Sequence, residues 1–311
     1  MRKALLVAFV LIASSLAPAP AFAWGSSAHR YIMRRAIDLL PPQLKPFFDA
    51  HRDEAVMRVI DPDLWRAIGW PEDPNHFVDF GVKEYGPYPF TALPRDYDAA
   101  VEKFGVETLR RYGTLPWRQE EEFGNLRRAF EAFPRGGFAA NNVVLFSAIA
   151  AHYIQDATQP LHATDNYDGL ATGQDGVHAR FESALFERYE SKLTITPPPL
   201  RPITNPRDAA FDTLLASNRL VDRVLAADKS AAAGKDVYDD EYFDKFLAGV
   251  KGVLEDQLGQ AISATAGLIV GAWEKAGRPA LVSPPRQPQR VKKSGVRNNP
   301  PQAPAPPGRR E

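Results

Sequence analysis

An all-α fold, a single helical-bundle domain followed by a disordered C-terminal tail, is what this sequence predicts. Three observations carry that expectation. Apolar residues recur at three- and four-residue spacing in several long segments. Alternating stretches of the kind a half-buried strand needs are few. One segment, "NNVVLFSAIAAHYIQDAT" at 141–158, is apolar on nearly every side, as suits a helix at the centre of a bundle.

The first element is an export leader over 1–23. Arg2 and Lys3 precede the apolar run Ala4 to Leu16, and small residues end at Ala21-Phe22-Ala23. The expected cut falls between Ala23 and Trp24, since a break after Ala19 would leave Pro20 next to it. The apolar run is too short for a membrane-spanning helix. The protein is therefore expected in the periplasm or outside the cell. With no cysteine in 311 residues, an exported chain has to be stabilised without disulfides, so core size or bound metal must do that work.

In the body, a helix is expected from about Ser27 to Leu40, stopped by Pro41-Pro42, and a second from about Gln43 to Val59. Eight prolines or glycines punctuate Gly69 to Pro94, so 61–94 reads as one long irregular segment. Helices follow at about 96–111 and 119–133, at 141–158 behind asparagine caps, and at 175–193. Asn205 caps a further helix with Pro206 at its first position, and a long last helix spans 239–275. The domain 24–282 gives way to 283–311, rich in Pro, Gln, Asn, Arg and Lys, which cannot bury a core. The neutral total hides a polarity, because 24–282 holds 29 basic against 37 acidic residues while the tail holds seven basic and one acidic. An acidic body argues against broad nucleic-acid binding through a basic face, although bound cations would invert the sign locally.

Histidine is scarce, six in all, and its placement is the informative feature. His152, Asp156 and His162 form H-x3-D-x5-H in "HYIQDATQPLH", and His178 and Glu182 form H-x3-E in "HARFE". Residues four apart share a helix face, so each pair can clasp one ion, and His162 follows Pro160, where the helix must end. Imidazole and carboxylate are ligands zinc accepts, at ~2.0 to 2.2 Å. Such a pair alone is commonly just solvated or capped. Here the surroundings are apolar, and burying these groups without a partner would cost several kcal/mol, a cost that ligation removes. Upstream, His29 lies five residues after Trp24 and His76 thirteen after Asp63; in isolation each reads equally well as a core or loop histidine.

The order Trp24, His29, Asp63, His76, then H-x3-D-x5-H, then H-x3-E resembles the zinc-dependent bacterial phospholipases C and their relatives, the single-strand-specific nucleases of fungi and plants. The resemblance covers 24 to about 190 and nine positions. It implies three zinc ions. Trp24 would bind one through its free amine and carbonyl oxygen, with His29 beside it; Asp63, His76 and His152 would hold a second, Asp156 bridging the two. His162, His178 and Glu182 would hold the third, more open ion, which would bind phosphate and leaving group. The implied chemistry is phosphodiester hydrolysis by a zinc-activated water, with Asp63 orienting it or taking its proton. Arg66 is within reach of that carboxylate or of a substrate phosphate, a surface ion pair being the plainer role, and Asn166 reads as a solvated loop residue. His51 is left as a surface residue.

The substrate is a phospholipid or a single-stranded nucleic acid. "WGSSAH" is nearer the nucleases, whereas "DPDLWR" and a glutamate at 182 are nearer the phospholipases; Phe181-Glu182 replaces the Trp-Asp usual in nucleases, and their disulfides cannot form here. The phospholipase C reading is therefore placed first, the nuclease second, and a non-catalytic zinc-stapled protein third. Trp65, Phe77, Phe80, Tyr85, Tyr88 and Phe90 would line a cleft or fill the core. The chain is expected to be a monomer with no permanent protein partner, its basic tail free to contact an anionic envelope.

Overall fold

In the computed structural model the residues described are 24–136 and 138–281; the leader 1–23 and the tail 283–311 lie outside them. Every regular element among the described residues is helical, and together these residues form a single helical domain. No described helix is long and apolar enough to cross a membrane.

α1, Ser26–Asp38, buries Ala28, His29, Ile32, Met33, Ala36 and Ile37, the stripe that three- and four-residue spacing produces. The helix expected over 43–59 is two helices, α2 at Lys45–Ala50 and α3 at Arg52–Arg58, because His51 leaves helical geometry (φ −115, ψ 16) between them. His51 is also less exposed than expected: its side chain is 31% accessible and its ring packs on Phe47 with centroids 4.7 Å apart. The irregular segment begins later than the sequence suggests. Pro62 starts a short helix, α4 at Asp61–Ala67, since proline at a first turn lacks only an N–H that has no helical partner there. Short 3-10 turns follow at Asp73–His76 and Lys83–Tyr85.

The helix expected over 96–111 is α5, Tyr97–Phe104, and α6, Val106–Tyr112, divided by Gly105, which takes a φ of 79° that side-chain-bearing residues avoid. α7, Leu115–Ala132, and α8, Ala139–Ala157, lie against each other. α8 starts on Phe138 with no side-chain cap, so the asparagine caps expected at 141–142 already lie inside the helix. A three-residue helix, α9 at Val177–Ala179, runs through a π-turn at Arg180–Ala184 into α10, Leu185–Tyr189. α11, Pro206–Asn218, begins on Asn205, whose side chain accepts from Asp208 N; α12 is Val221–Ala232. α13, Asp240–Lys275, is capped by Asp239 and, at 36 residues, is about 54 Å long.

α8 is the axis of the domain. Residues 147–157 are buried without interruption, and α1, α3, α7, α11 and α13 all pack against it. This environment is why its polar residues need partners.

Candidate metal centre

His152 and Asp156 project from one face of α8 into the middle of the bundle, where both are 0% exposed. The other candidates arrive from short, locally forced structures. α1 brings His29, α4 brings Asp63 from its first turn, and the 3-10 turn Asp73–His76 brings His76. That turn is held from both sides. Thr114 N donates to Pro74 O at 2.6 Å, and Val78 N donates to His162 O at 2.9 Å. Gly113 is required for this seam: its φ is 94°, and a Cβ there would collide with the Phe77 carbonyl. His162 leaves α8 through the 3-10 turn Pro160–Ala163, which Gln159 caps by accepting from Leu161 N at 2.5 Å.

These residues form three groups, each with ligand atoms within 4.8 Å of one another: His29, Asp63 and His152; His76, His152 and Asp156; and His162, His178 and Glu182. Eight of the nine predicted ligands are thus brought together. Asp156 lies at the junction. Its Oδ1 is 3.2 Å from His29 Nε2, and its Oδ2 is 3.0 Å from His76 Nδ1 and 3.2 Å from His152 Nε2. In the third group His178 Nε2 is 2.9 Å from Glu182 Oε2 and 3.1 Å from His162 Nε2. Trp24, the ninth, is fully buried, and its indole N–H donates to Gln155 O at 2.9 Å and to Thr158 Oγ1 at 3.1 Å.

Three of the five rings are oriented from behind. His29 Nδ1–H donates to Gln155 Oε1 at 2.6 Å, His152 Nδ1–H to Val59 O at 2.8 Å, and His162 Nδ1–H to His76 O at 2.7 Å. Such donation leaves Nε2 of all three as a lone-pair donor turned inward, the arrangement metal-ligating histidines need. His29 Nε2, both oxygens of Asp63, Asp156 Oδ1 and Glu182 Oε1 are buried with no hydrogen-bond partner. Orphaned acceptors in a closed interior are costly, and a cation held there would satisfy them. The donor set therefore fits metal ions.

The electrostatics divide the candidates. Burial pulls the His76 imidazole down to about 3, so it is neutral and able to ligate. Burial also opposes charge on His152, but the Asp156 and Asp63 carboxylates outweigh it and lift that ring to about 9, so its Nε2 offers a lone pair only when a bound cation displaces the proton. Burial would raise Asp156, yet the His152 and His162 imidazoles hold it well below the usual carboxylate range. Glu182, likewise opposed by burial, is held at about 2 by His178 and His162. Asp63 goes the other way, pushed up by burial against the pull of His152 and His29.

Sequence reasoning missed the groups behind the ligands. Gln155 supports His29 and also donates to Thr265 Oγ1 at 3.1 Å, while Gln159 Nε2 donates to Glu182 Oε2 at 3.1 Å. Both amides stand in the same "HYIQDATQPLH" string, and a neutral amide inside an apolar helix was the available signal, since a buried amide needs partners. The Val59 and His76 carbonyls carried no signal, as any residue offers one. Of the six aromatics, Phe80, Tyr85 and Phe90 are buried in the core while Tyr88 is 41% exposed. Asn166 organises its own loop, accepting from Ala171 N at 2.9 Å and donating to Thr172 Oγ1 at 3.1 Å. Searches against protein-family models and against curated proteins return no match to this chain.

Proposed function

We propose that this chain is an exported zinc-dependent phosphodiester hydrolase of phospholipase C type. The observation that carries the reading is Asp156, whose two oxygens face different histidines at 3.0 to 3.2 Å in a buried cluster that continues to His162, His178 and Glu182. The ordered resemblance to zinc phospholipases C and single-strand nucleases supplies the reaction class. It also supplies three ions: one held by Trp24 and His29, one by Asp63, His76 and His152, with Asp156 between them, and one by His162, His178 and Glu182.

Zinc bound there would lower the pKa of a water to about 7 and offset charge on the phosphodiester. Asp63 would orient that water or take its proton, a role supported by carboxylate oxygens that make no hydrogen bond. Arg66 Nη2 is 3.9 Å from Asp63 Oδ1 and its Nη1 is 3.4 Å from Asp73, so it can meet a substrate phosphate beside the proton acceptor. His178, at 7%, is the most exposed of the candidates, and Tyr167, 48% exposed, has its ring 6.1 Å from it. Substrate and leaving group would enter on that side, over a group with only three protein ligands.

The nuclease reading keeps one observation in its favour, the short Trp24 to His29 spacing. Purified mature protein assayed on phosphatidylcholine and on single-stranded DNA, each with and without chelator, separates the two. Chelator-sensitive release of diacylglycerol is expected. Cleavage of DNA alone would transfer the assignment to the nuclease, and no turnover of either with zinc bound would overturn the enzyme reading.

A further inference from the structure

A cavity of ≈ 510 Å³ lies against the segment that carries His76 and is lined by none of the nine metal-site candidates. Its volume is in the range of small-molecule sites, ~300 to 1,000 Å³. What it offers a ligand follows from which of its groups are already used. Arg118 is occupied by Glu121 at 2.8 Å, Glu122 at 3.1 Å and the Tyr153 hydroxyl at 3.2 Å. Glu120 is paired with Arg207 at 3.3 Å. Thr114 donates to Asn75 Oδ1 at 2.8 Å, and Asn75 donates to Glu72 at 3.1 Å. Arg110 is different, because it is exposed and has no ion pair, hydrogen bond or ring contact with any described residue. The remaining walls are rings: Pro71, Pro74, Trp117 and Tyr97. Tyr97 and Trp117 meet edge to face at 5.5 Å, and Tyr97 is 38% exposed.

We propose that this cavity binds a small aromatic anion, its ring against Tyr97, Trp117 and the two prolines and its anionic group on Arg110. A guanidinium without a partner beside a ring-lined recess matches both halves of such a ligand, since charge-assisted bonds to Arg and ring packing act together. A neutral ring leaves Arg110 unpaired, a bare anion leaves the rings wet, and an aromatic cation gains nothing from Arg110 and meets Glu120 and Glu121 already paired with Arg207 and Arg118. The site shares no residue with the proposed metal centre, so it stands or falls independently of the hydrolase reading.

Benzenesulfonate is the probe, a permanently charged aromatic anion with little affinity for zinc. The readout is the Trp117 indole N–H and the Thr114 amide in two-dimensional NMR of the metal-loaded protein. The Trp117 signal is fixed by donation to Arg95 O at 2.8 Å. Saturable shifts of both are expected with benzenesulfonate and not with sulfate, benzyl alcohol or benzyltrimethylammonium. Arg110→Ala should weaken binding about tenfold and Arg110→Glu abolish it. Equal shifts with sulfate, no shift with benzenesulfonate in the wild type, or unchanged binding in R110E would each overturn the proposal. An unaltered circular dichroism spectrum shows that the variants fold.

Discussion

Gln155 shows how much of the candidate centre is decided by side chains that would touch no metal. It gives His29 Nδ1–H its acceptor at 2.6 Å and so turns Nε2 toward Asp156. Gln155→Leu keeps the bulk but removes that acceptor, and metal affinity at the His29 group should fall about 10- to 100-fold, measured by competition with a chromogenic chelator. An unchanged affinity would mean that the ring is oriented by packing alone. Asp79 provides a second residue-scale prediction. Burial first, then the Asp165 and Asp73 carboxylates, push its carboxyl up to about 7 from 3.8. A folded pKa above the unfolded one means that stability is intact below about pH 4 and is lost as pH rises through about 7. Asp79→Asn removes that loss and should stabilise the protein by at most about 4 kcal/mol at pH 8 and by almost nothing at pH 4, read by urea unfolding at each pH. A gain that is the same at both pH values would show that charge is not the cause. The candidate histidines were legible in the sequence because two His-carboxylate pairs at helical spacing stand within about 30 residues, joined by a third histidine in an otherwise apolar context. Asp79 was not, since its surroundings come from residues far along the chain.

Among the elements, the α9–π–α10 helix is the one whose geometry is most dictated from outside. His178 and Glu182 face the third group, while Arg180 between them is buried and bonded to Asp228 at 3.0 Å, Tyr242 at 3.0 Å, Asp175 O at 2.7 Å and Gln174 O at 3.0 Å. Tyr242 in turn donates its hydroxyl to Asp228. Arg180→Met would leave Asp228 buried without its cation, and a loss of about 3–5 kcal/mol is expected in urea unfolding. A loss below about 1 kcal/mol would mean that water replaces the guanidinium. Helix type was readable from apolar spacing in the longer elements, and the cap at Asn205 from the residue itself, whereas Asp239, read as the first helical residue, is the cap. Breaks were less legible. His51 and Gly105 interrupt helices that periodicity carries straight through, and α4 hid in a proline-rich stretch because Pro62 reads as a breaker unless it stands at a first turn. The π-turn had no sequence signal; its Arg180 is bonded to Asp228 of α12 and Tyr242 of α13, residues far along the chain.

For the molecule as a whole, a domain without cysteine places its buried charges at the centre, where apolar packing would otherwise be expected. Under the proposed metal loading those charges link metal content to stability. Removing metal with a chelator should lower the melting temperature on the order of 10 °C, restored by added zinc. A melting temperature indifferent to chelator would show that the cluster is stable without ions. The position of α8 sets a further limit, on how the gene can change length. Because this helix is enclosed along 147–157, it cannot turn about its axis to compensate for an extra or missing codon. One inserted residue between His152 and Asp156 would swing the carboxylate by about 100° away from the three imidazoles it faces, and no neighbouring loop could absorb the shift. The exposed turn over 236–239, between α12 and α13, is under no such constraint, so length variation in descendants of this sequence should gather there and spare α8.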